Sequence, residues 1–352
     1  MIFNSYAFLA FFPIVTLAYY LMPMRARRPW LLAASYYFYM CWNAQYALLI
    51  AASTLVTYLC ALALGRIEAK AGRRAVLALG LAINLGILCF FKYFGFFTDT
   101  FARIAARLGV RLAIPAFDVL LPVGISFYTF QAVGYLIDCY RGRHPAEKNY
   151  ARFLLFISFF PQLIQGPINR YGEMAPQLTA RHIWNWERTK RALFLFLFGA
   201  MKKYAIANLT APTIAAILGG NDPKLAGSMA LLAILLYSLQ QYADFSGGID
   251  MVLGVAQLYG IEMMPNFRQP YFSTSLGDFW RRWHISLGAW MRDYLFYPFA
   301  LTKPMQRFGK WATSHWGKHF GRVLPAAVAN LLVFAVVGIW HGPQAHYLAW
   351  GL

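Results

Sequence analysis

Residues 29–65 read PWLLAASYYFYMCWNAQYALLIAASTLVTYLCALALG and contain no Lys, Arg, Asp or Glu. A helix needs roughly 20 apolar residues to cross the hydrocarbon core of a bilayer, because it rises only about 1.5 Å per residue. This stretch is too long for one crossing. The polar segment at residues 42–45 (WNAQ) divides it, so the stretch predicts two membrane helices joined by a short turn.

Similar apolar runs follow one another along the chain. Residues 1–24 carry no charge and no basic segment of the kind that begins a signal peptide, so they predict a first crossing. Further runs occupy residues 75–91, 119–137, 153–169, 192–218 (interrupted by Lys202 and Lys203), 225–243, 251–261 and 323–352. We interpret the chain as a single all-α domain, a polytopic transmembrane helix bundle of about 9–11 spans or re-entrant segments.

The composition supports a membrane protein. Hydrophobic residues make up 60% of the chain and charged residues 13%, which leaves too little polar surface for a soluble protein. The net charge of +19 is concentrated between the apolar runs, as in cytoplasmic loops that meet lipid headgroups, so nucleic-acid binding is not predicted. The four cysteines are scattered singly, and we expect neither a disulfide framework nor a metal site.

Basic clusters predict the orientation of the chain. Residues 25–28 and 66–74 are rich in Arg and Lys and follow the first and third predicted spans. The positive-inside rule places both loops in the cytoplasm and the N-terminus outside. Residues 103–111 are also basic but fall on the outer side, so they form an interfacial helix or the span count fails there.

Proline, glycine and amide residues interrupt two of the apolar runs, at residues 121–126 (LPVGIS) and 159–167 (FFPQLIQGP). Backbone groups that such breaks release at membrane depth must be buried in protein or line a wet cavity. We therefore expect the bundle to surround a central polar funnel, with Gln165 among its polar residues.

His341 is the sharpest candidate for chemistry. It ends the apolar run at residues 331–340, and no Lys, Arg, Asp or Glu occurs between positions 323 and 352. An ionisable residue in such a setting is costly and indicates a functional site. A neutral imidazole can accept a proton. The alternative is a histidine satisfied at a helix end, with Gly342 and Pro343 terminating the helix.

Two other segments carry polar groups among apolar residues. Residues 279–294 include Arg281, Arg282, His284 and Asp293 between tryptophans, which suits either the binding of a charged carrier or an interfacial helix with snorkelling arginines. Residues 240–250 contain two acidic side chains, Asp244 and Asp250, that could orient a histidine or form a structural ion pair.

Several stretches, in this order, resemble the membrane-bound O-acyltransferase family. They are residues 1–5 (MIFNS), 91–94 (FKYF), 121–127 (LPVGISF), 160–167 (FPQLIQGP), 242–247 (YADFSG), 281–284 (RRWH) and 338–342 (GIWHG). The resemblance covers essentially the whole chain. It implies that His341 is the catalytic general base and His284 a second catalytic residue, with Asp244, Arg281, Arg282, Gln165 and Asp293 in binding or supporting roles.

The resemblance also implies the reaction and its setting. We expect an O-acetyltransferase of the bacterial inner membrane that holds no bound cofactor and passes acetyl groups from acetyl-CoA toward an exported, alginate-like polysaccharide. Membrane lipid, an external (periplasmic) acetyltransferase and polysaccharide export machinery would be its partners. Family members continue with further helices beyond the histidine motif, whereas this sequence stops at Leu352, so the family's C-terminal helices are expected to be missing.

Two alternatives stay open. A transporter, or a scaffold for external acetylation enzymes, would also use broken helices and buried charges. The branch of the family that transfers D-alanine from a carrier protein is the other. No GxSxG, Walker, HExxH or GxGxxG motif occurs in the sequence, so hydrolases, ATPases, zinc proteases and Rossmann enzymes have no support.

Overall fold

A computed structural model describes residues 1, 3, 5–109, 121–219 and 227–351, and these residues form helices and loops without a strand. The predicted all-α class is confirmed. Four helical segments are long and apolar enough to cross a membrane: Ala44–Arg66, Lys70–Arg107, Trp186–Gly219 and Lys303–His341. The shorter helix Tyr6–Leu21 is also apolar. The multi-pass membrane character follows from these segments together.

The N-terminal helices match the apolar runs. Helices α1 (Tyr6–Leu21), α2 (Met24–Met40), α3 (Ala44–Arg66) and α4 (Lys70–Arg107) follow in order. The predicted division of residues 29–65 is confirmed, because the chain turns at residues 41–43 and the Asn43 side chain accepts a hydrogen bond from Gln45 N as the N-cap of α3.

Helix α4 explains the basic residues that did not fit the alternation of loops. It has 38 residues and is therefore about 57 Å long, well beyond the roughly 30 Å of a hydrocarbon core. Arg103 and Arg107 lie in its last turns. The basic segment is thus a continuation of the membrane helix as far as Arg107, followed by a turn at residues 108–109. Residues 110–120 lie outside the described residues.

The middle of the chain is broken into short helices. They are α5 (Ile125–Tyr140), α6 (Tyr150–Ser158), α7 (Phe160–Leu163) and α8 (Tyr171–Thr179). The polar groups at the break near Pro161 are satisfied within the protein. Gln162 donates to the Phe156 carbonyl at 2.5 Å and accepts from Asn169 Nδ2 at 2.8 Å, and all three residues are buried. The break is therefore built into the protein core.

Gly124 is required where α5 begins. Its φ is +76°, and a Cβ atom there would lie 2.0 Å from the Leu163 carbonyl oxygen. Only glycine tolerates both the left-handed conformation and this approach. The start of α5 is thereby pressed against the break after α7.

Two predictions about the later runs are wrong. Lys202 and Lys203 do not interrupt the run at residues 192–218, because α9 (Trp186–Met201) continues through a π-helical turn (Lys202–Asn208) into α10 (Leu209–Gly219). The runs at residues 225–243 and 251–261 are not separate either. A single helix, α11 (Ser228–Leu258), contains most of both, with residues 220–226 outside the described part.

Close packing of α9 against α11 accounts for the single helix. A Cβ atom on Gly199 would lie 2.5 Å from the Gly247 carbonyl oxygen, and one on Gly254 would lie 2.6 Å from the Ala192 oxygen. Small residues let two membrane helices approach at backbone distance. Gly247 and Gly254 therefore lie on the surface of α11 that contacts α9.

The C-terminal part surrounds a second, smaller core. Helices α12 (Leu276–Arg282), α13 (Ile285–Met291) and α14 (Tyr297–Ala300) precede α15 (Lys303–His341) and α16 (Ala345–Gly351). Gly317 has a φ of 88° and divides α15 into two helices. Phe130 of α5, Trp290 of α13 and Trp340 of α15 pack together, with ring centroids 4.4 and 5.8 Å from Phe130. This aromatic cluster packs the end of α15 against α5 and α13.

Candidate active site

His341 is the last residue of α15, and its end of the helix is held by α4. The Lys92 ammonium donates to the Trp340 carbonyl, and the Tyr93 hydroxyl donates to the Ile339 carbonyl. These are carbonyls of the last helical turn, which have no partner inside the helix. Helix α4 therefore fixes where α15 stops and, with it, the position of His341.

His284 also contacts Trp340. Its ring centroid is 6.3 Å from that of Trp340, while the His341 ring is 4.7 Å from the same indole. The two imidazoles are close enough to interact electrostatically. Helices α13 and α15 thus bring together the two histidines that the sequence singled out, 57 positions apart by subtraction of their numbers.

The two histidines differ in exposure. His284 is 8% exposed, and its ring also contacts Phe245 with centroids 4.8 Å apart. His341 is exposed at the surface of the described chain, where its ring faces Tyr347 and Trp350 of α16. The predicted central funnel around His341 is not seen as an enclosure formed by the described residues, and it stays a prediction.

Asn266 holds His284 in one tautomer. Its Oδ1 lies 3.2 Å from His284 Nδ1 and also accepts from the Ser286 backbone amide at 3.0 Å and the Ser286 hydroxyl at 2.8 Å. The Ser286 amide can only donate, so the atom that faces it must be the amide oxygen of Asn266. His284 Nδ1 therefore carries the proton, and Nε2 is left with a lone pair.

The backbone around His284 is also constrained. His284 has a φ of 45°, which is uncommon for a residue with a side chain, and it forms the N-cap of α13. The next amide, Ile285 N, donates to the Asn266 carbonyl at 2.9 Å. Asn266 thus binds both the side chain and the adjoining backbone, which keeps the left-handed conformation in place.

Two N–H groups near the imidazoles are buried and have no hydrogen-bond partner among the described residues. They are Trp340 Nε1 and Asn266 Nδ2. Buried donors are nearly always paired in proteins, since an unpaired one costs about 1–3 kcal/mol. Neither donor is satisfied by the residues that the structure describes.

The other predicted site residues are held in local interactions. The Asp244 carboxylate pairs with the Lys203 ammonium of the π-helical turn and, among the described residues, forms no ion pair with an imidazole. The side chain of Arg281 is 76% exposed, and both Arg281 and Arg282 pair with Asp278 on their own helix, at 3.9 and 2.9 Å. These contacts fit the snorkelling alternative for the arginines.

Asp293 and Gln165 are positioned by neighbouring elements. Asp293 Oδ2 lies 2.8 Å from Arg170 Nη2, and its Oδ1 lies 3.0 Å from Arg292 Nε. The side chain of Gln165 packs on Gly248 of α11, where a Cβ atom would lie 2.3 Å from Gln165 Nε2. Asp250, the second acidic residue of α11, pairs with Lys202 at 2.5 Å. A direct role for Asp293, Gln165 or Asp244 in binding stays a prediction.

Sequence patterns missed three residues of this site as a group. Lys92 and Trp340 belong to motifs noted above, but nothing in the sequence indicates that one caps the other. Asn266 lies in an irregular segment between α11 and α12, where no periodicity marks a polar residue as buried. Within the part of the chain that the structure describes, no group of His, Cys, Asp and Glu side chains is arranged to hold a metal ion.

Comparison with known proteins identifies the class of protein to which this helical architecture and its histidine pair belong. The model of the MBOAT, membrane-bound O-acyltransferase family matches residues 143–352. This segment includes both histidines. The chain therefore belongs to the membrane-bound O-acyltransferase family.

Individual relatives cover the whole chain. It is 36% identical over 354 residues to the probable alginate O-acetylase AlgI of Azotobacter vinelandii and 32% identical over 385 residues to the peptidoglycan O-acetyltransferase of Helicobacter pylori. These alignments include 100% of this chain and 66% and 68% of the two relatives. The chain thus spans about two thirds of the length of the relatives it matches.

A third relative has a different transferred group in its name. The teichoic acid D-alanyltransferase of Bacillus subtilis is 31% identical over 252 residues, which is 68% of this chain and 58% of that protein. The relatives thus include both O-acetyltransferases and a D-alanyltransferase.

Proposed function

We propose that this chain is a membrane O-acetyltransferase that passes an acetyl group from a thioester donor toward an exported polysaccharide. The observation that carries the proposal is the pair of imidazoles, His284 and His341, which both contact the Trp340 ring. Family membership and the acetylase relatives support the acetyl group and the polysaccharide. Acetyl-CoA is the proposed donor.

In the proposed step, His341 accepts the proton of the acceptor hydroxyl while the hydroxyl oxygen attacks the thioester carbonyl carbon. The carbon–sulfur bond then breaks, and the departing thiolate takes the proton back from the imidazolium. General-base catalysis of this kind contributes about 10²–10⁴-fold to the rate. His284, fixed by Asn266 with Nε2 unprotonated, supplies a second acceptor nitrogen that orients the incoming group.

The two unpaired donors complete the proposed site. The thioester oxygen becomes negative as the tetrahedral intermediate forms, and N–H groups placed in advance stabilise that charge. Trp340 Nε1 and Asn266 Nδ2 are buried beside the imidazoles and have no partner in the described chain. They are the proposed donors to this oxygen.

The basic loops support the proposed membrane setting. The loops after α1 and α3 lie at the same end of the bundle, since Arg25 and Arg66 each line a cavity that includes the loop between α5 and α6. The positive-inside rule supports a cytoplasmic location for this end in a bacterial inner membrane, with the N-terminus outside. An external acetyltransferase and the polysaccharide export machinery are the proposed partners on the outer side.

The test is polysaccharide acetylation in cells that carry His341→Ala or His284→Ala at normal membrane abundance. We expect both variants to lose acetylation by about 10²-fold or more. His319→Ala is the matched control, because His319 is exposed on α15 and lies outside the site. Unchanged acetylation in the His341→Ala strain would overturn the proposed function.

The D-alanyl alternative and the transporter alternative need a separate measurement. Purified protein in nanodiscs is given either labelled acetyl-CoA or a labelled D-alanyl carrier protein, and thioester turnover is measured for the unsubstituted chain and for His341→Ala. Turnover of acetyl-CoA that depends on His341 supports the acetyl branch. Turnover of the carrier alone supports the D-alanyl branch, which the teichoic acid relative favours, and no turnover of either supports a transporter or scaffold.

A further inference from the structure

Two cavities lie side by side at the basic end of the bundle. The first, of about 970 Å³, is lined by the start of α2, by α6 and by α8. The second, of about 990 Å³, is lined by the end of α3 and the start of α4. The loop between α5 and α6 lines both, through His144, Pro145, Ala146 and Lys148. One loop therefore separates two adjoining spaces.

Both cavities are strongly basic. Their cationic residues are Arg25, Arg28 and Arg152 in the first, Arg66 and Arg73 in the second, and Lys148 in both. Glu147 is the one acidic residue among the described residues that line them. The excess of positive charge predicts an anionic occupant.

The carboxylate of Glu147 interacts electrostatically with one of these cations, Arg152. It accepts hydrogen bonds from the Tyr171 hydroxyl at 2.7 Å and the Asn149 amide at 2.8 Å. Partial burial raises the pKa of Glu147, but these hydrogen bonds and the charge of Arg152 outweigh that effect and lower the pKa below its usual range. Glu147 is therefore ionised, and its oxygens already accept hydrogen bonds from Asn149 and Tyr171.

Most of the cations are unpaired. Arg73 donates to the carbonyls of Leu64 and Tyr140, at 2.5 and 2.8 Å, and so holds the ends of α3 and α5 together. The remaining basic residues form no ion pair with any carboxylate in the described ranges. They are Arg25, Arg28, Arg66, Lys148 and Arg152. The charge of Arg25, Arg28, Arg66 and Lys148 is available to a ligand, whereas Arg152 also interacts with Glu147.

The cavities also have apolar walls. Pro29, Leu32 and Leu155 line the first, and Ala61 and Leu62 line the second. The wall of the second belongs to α3, one of the helices that can cross a membrane. Each cavity thus joins a cationic rim to a hydrophobic surface, which suits an amphiphile whose phosphate binds Arg or Lys while its acyl chains follow the helices.

We infer that the two cavities together bind an anionic phospholipid that carries two linked phosphates, as cardiolipin does. One phosphate binds Arg25 and Arg28 in the first cavity, and the other binds Arg66 in the second. Lys148 lies between them. Because a single loop forms the wall between the two cavities, two phosphates joined by a short linker reach both sites at once, which separate monophosphate lipids do only at a higher entropic cost.

This lipid site is distinct from the imidazole site. Lys70 begins α4 at the basic end, and Lys92, which contacts Trp340, lies 22 positions further on by subtraction. That separation corresponds to about 33 Å along the helix axis. Lipid binding is therefore expected to be the same in His341→Ala as in the unsubstituted chain, whatever becomes of the proposed enzymatic function.

The experiment is a titration of the purified full chain in detergent with cardiolipin, phosphatidylglycerol or phosphatidylcholine, with bound lipid counted by native mass spectrometry. We expect one cardiolipin to bind per chain, more tightly than phosphatidylglycerol, with no specific binding of phosphatidylcholine. Since each Lys or Arg near an anionic lipid contributes about 1 kcal/mol, Arg25→Gln/Arg28→Gln is expected to weaken cardiolipin binding about 30-fold and Arg66→Gln about fivefold.

A charge-matched control separates a site from general attraction. Arg307→Gln/Lys310→Gln removes two exposed cations of α15 that line neither cavity and is expected to leave cardiolipin binding unchanged. Leu62→Trp fills the second cavity without changing its charge and is expected to reduce cardiolipin binding while the chain unfolds at an unchanged temperature. Equal binding of the three lipids, equal losses in the two double variants, or displacement of cardiolipin by coenzyme A would overturn the inference.

Discussion

The amide oxygen of Asn266 lies 3.2 Å from Nδ1 of His284, although the two residues are 18 positions apart, with α12 between them. Because the same oxygen accepts from the Ser286 amide, the proton of the imidazole must be on Nδ1. A helix cap and a short loop thus determine which nitrogen of His284 is free to meet a substrate.

Asn266→Ala is predicted to lower acetyl transfer about 10- to 100-fold, the usual loss when the group that orients a functional imidazole is removed. The expected readout is the rate at saturating donor together with its pH profile, which shifts when the imidazole loses its partner. Ser286→Ala is the control, since it removes one donor to Asn266 and leaves the contact with His284 intact. A pH profile identical to that of the unsubstituted chain would contradict the positioning role.

Trp340→Phe is predicted to lower the rate constant of acetyl transfer by about 10²-fold, because it removes the Nε1–H proposed to stabilise the developing oxyanion. The aromatic contacts with Phe130 and His284 are largely kept by a phenyl ring. Single-turnover kinetics should show the loss in the chemical step, with donor affinity nearly unchanged. If the loss falls on donor affinity instead, Trp340 contributes packing and no oxyanion contact.

The buried pair of Lys202 and Asp250 is predicted to be structural. Its side chains are 9% and 18% exposed, and Lys202 also donates to the Ser246 hydroxyl at 2.9 Å. Lys202→Met leaves a buried carboxylate unpaired and is expected to lower the free energy of unfolding by about 3–5 kcal/mol. Adding Asp250→Leu should recover much of that loss in a double-mutant cycle measured by thermal unfolding in detergent.

Activity separates this structural role from proton transfer. Acetyl transfer per folded molecule is expected to be the same in the double variant Lys202→Met/Asp250→Leu as in the unsubstituted chain. A loss of about 10²-fold or more, the low end of what a catalytic acid or base contributes, would instead place the pair in the chemistry.

Asp293→Asn is predicted to destabilise the chain without changing the chemistry. Both carboxylate oxygens of Asp293 are occupied, by Arg170 and Arg292, and hydrogen bonds to charged groups contribute about 1.5–3 kcal/mol each. Arg170→Gln is expected to lower the unfolding temperature by about as much as Asp293→Asn does. Should Asp293→Asn keep its stability but lose donor binding, the role in substrate binding expected from the sequence would be supported.

The lengths of the charge-free apolar runs predicted the first four helices well, because lipid-facing helices differ from loops in composition. The polar segment at residues 42–45 was correctly interpreted as the turn between α2 and α3. The same reasoning failed for α11. Asp244 and Asp250 lie between the two predicted runs, yet their charges are paired with Lys203 and Lys202. Gly247, which lies between them, faces α9. Partners that lie on another helix are invisible in a local pattern.

The site, like the fold, was predictable from the sequence only in part. His341 and His284 were predictable, since an ionisable residue among apolar ones is conspicuous and the motifs around both resemble the family. The contacts that make them a pair were not. Asn266 and Lys92 act through single long-range hydrogen bonds, and the exposure of Arg281 depends on which side of a short helix faces its neighbours.

The attachment of α15 to α4 makes the position of His341 sensitive to the membrane itself. Lys92 and Tyr93 donate hydrogen bonds to carbonyls in the last turn of α15. Both residues belong to α4, which is far longer than a bilayer is thick. A long helix adapts to a thicker or thinner bilayer by changing its tilt. Such a tilt carries the imidazole with it, so acyl transfer by this chain should respond to the chain length of the surrounding lipids.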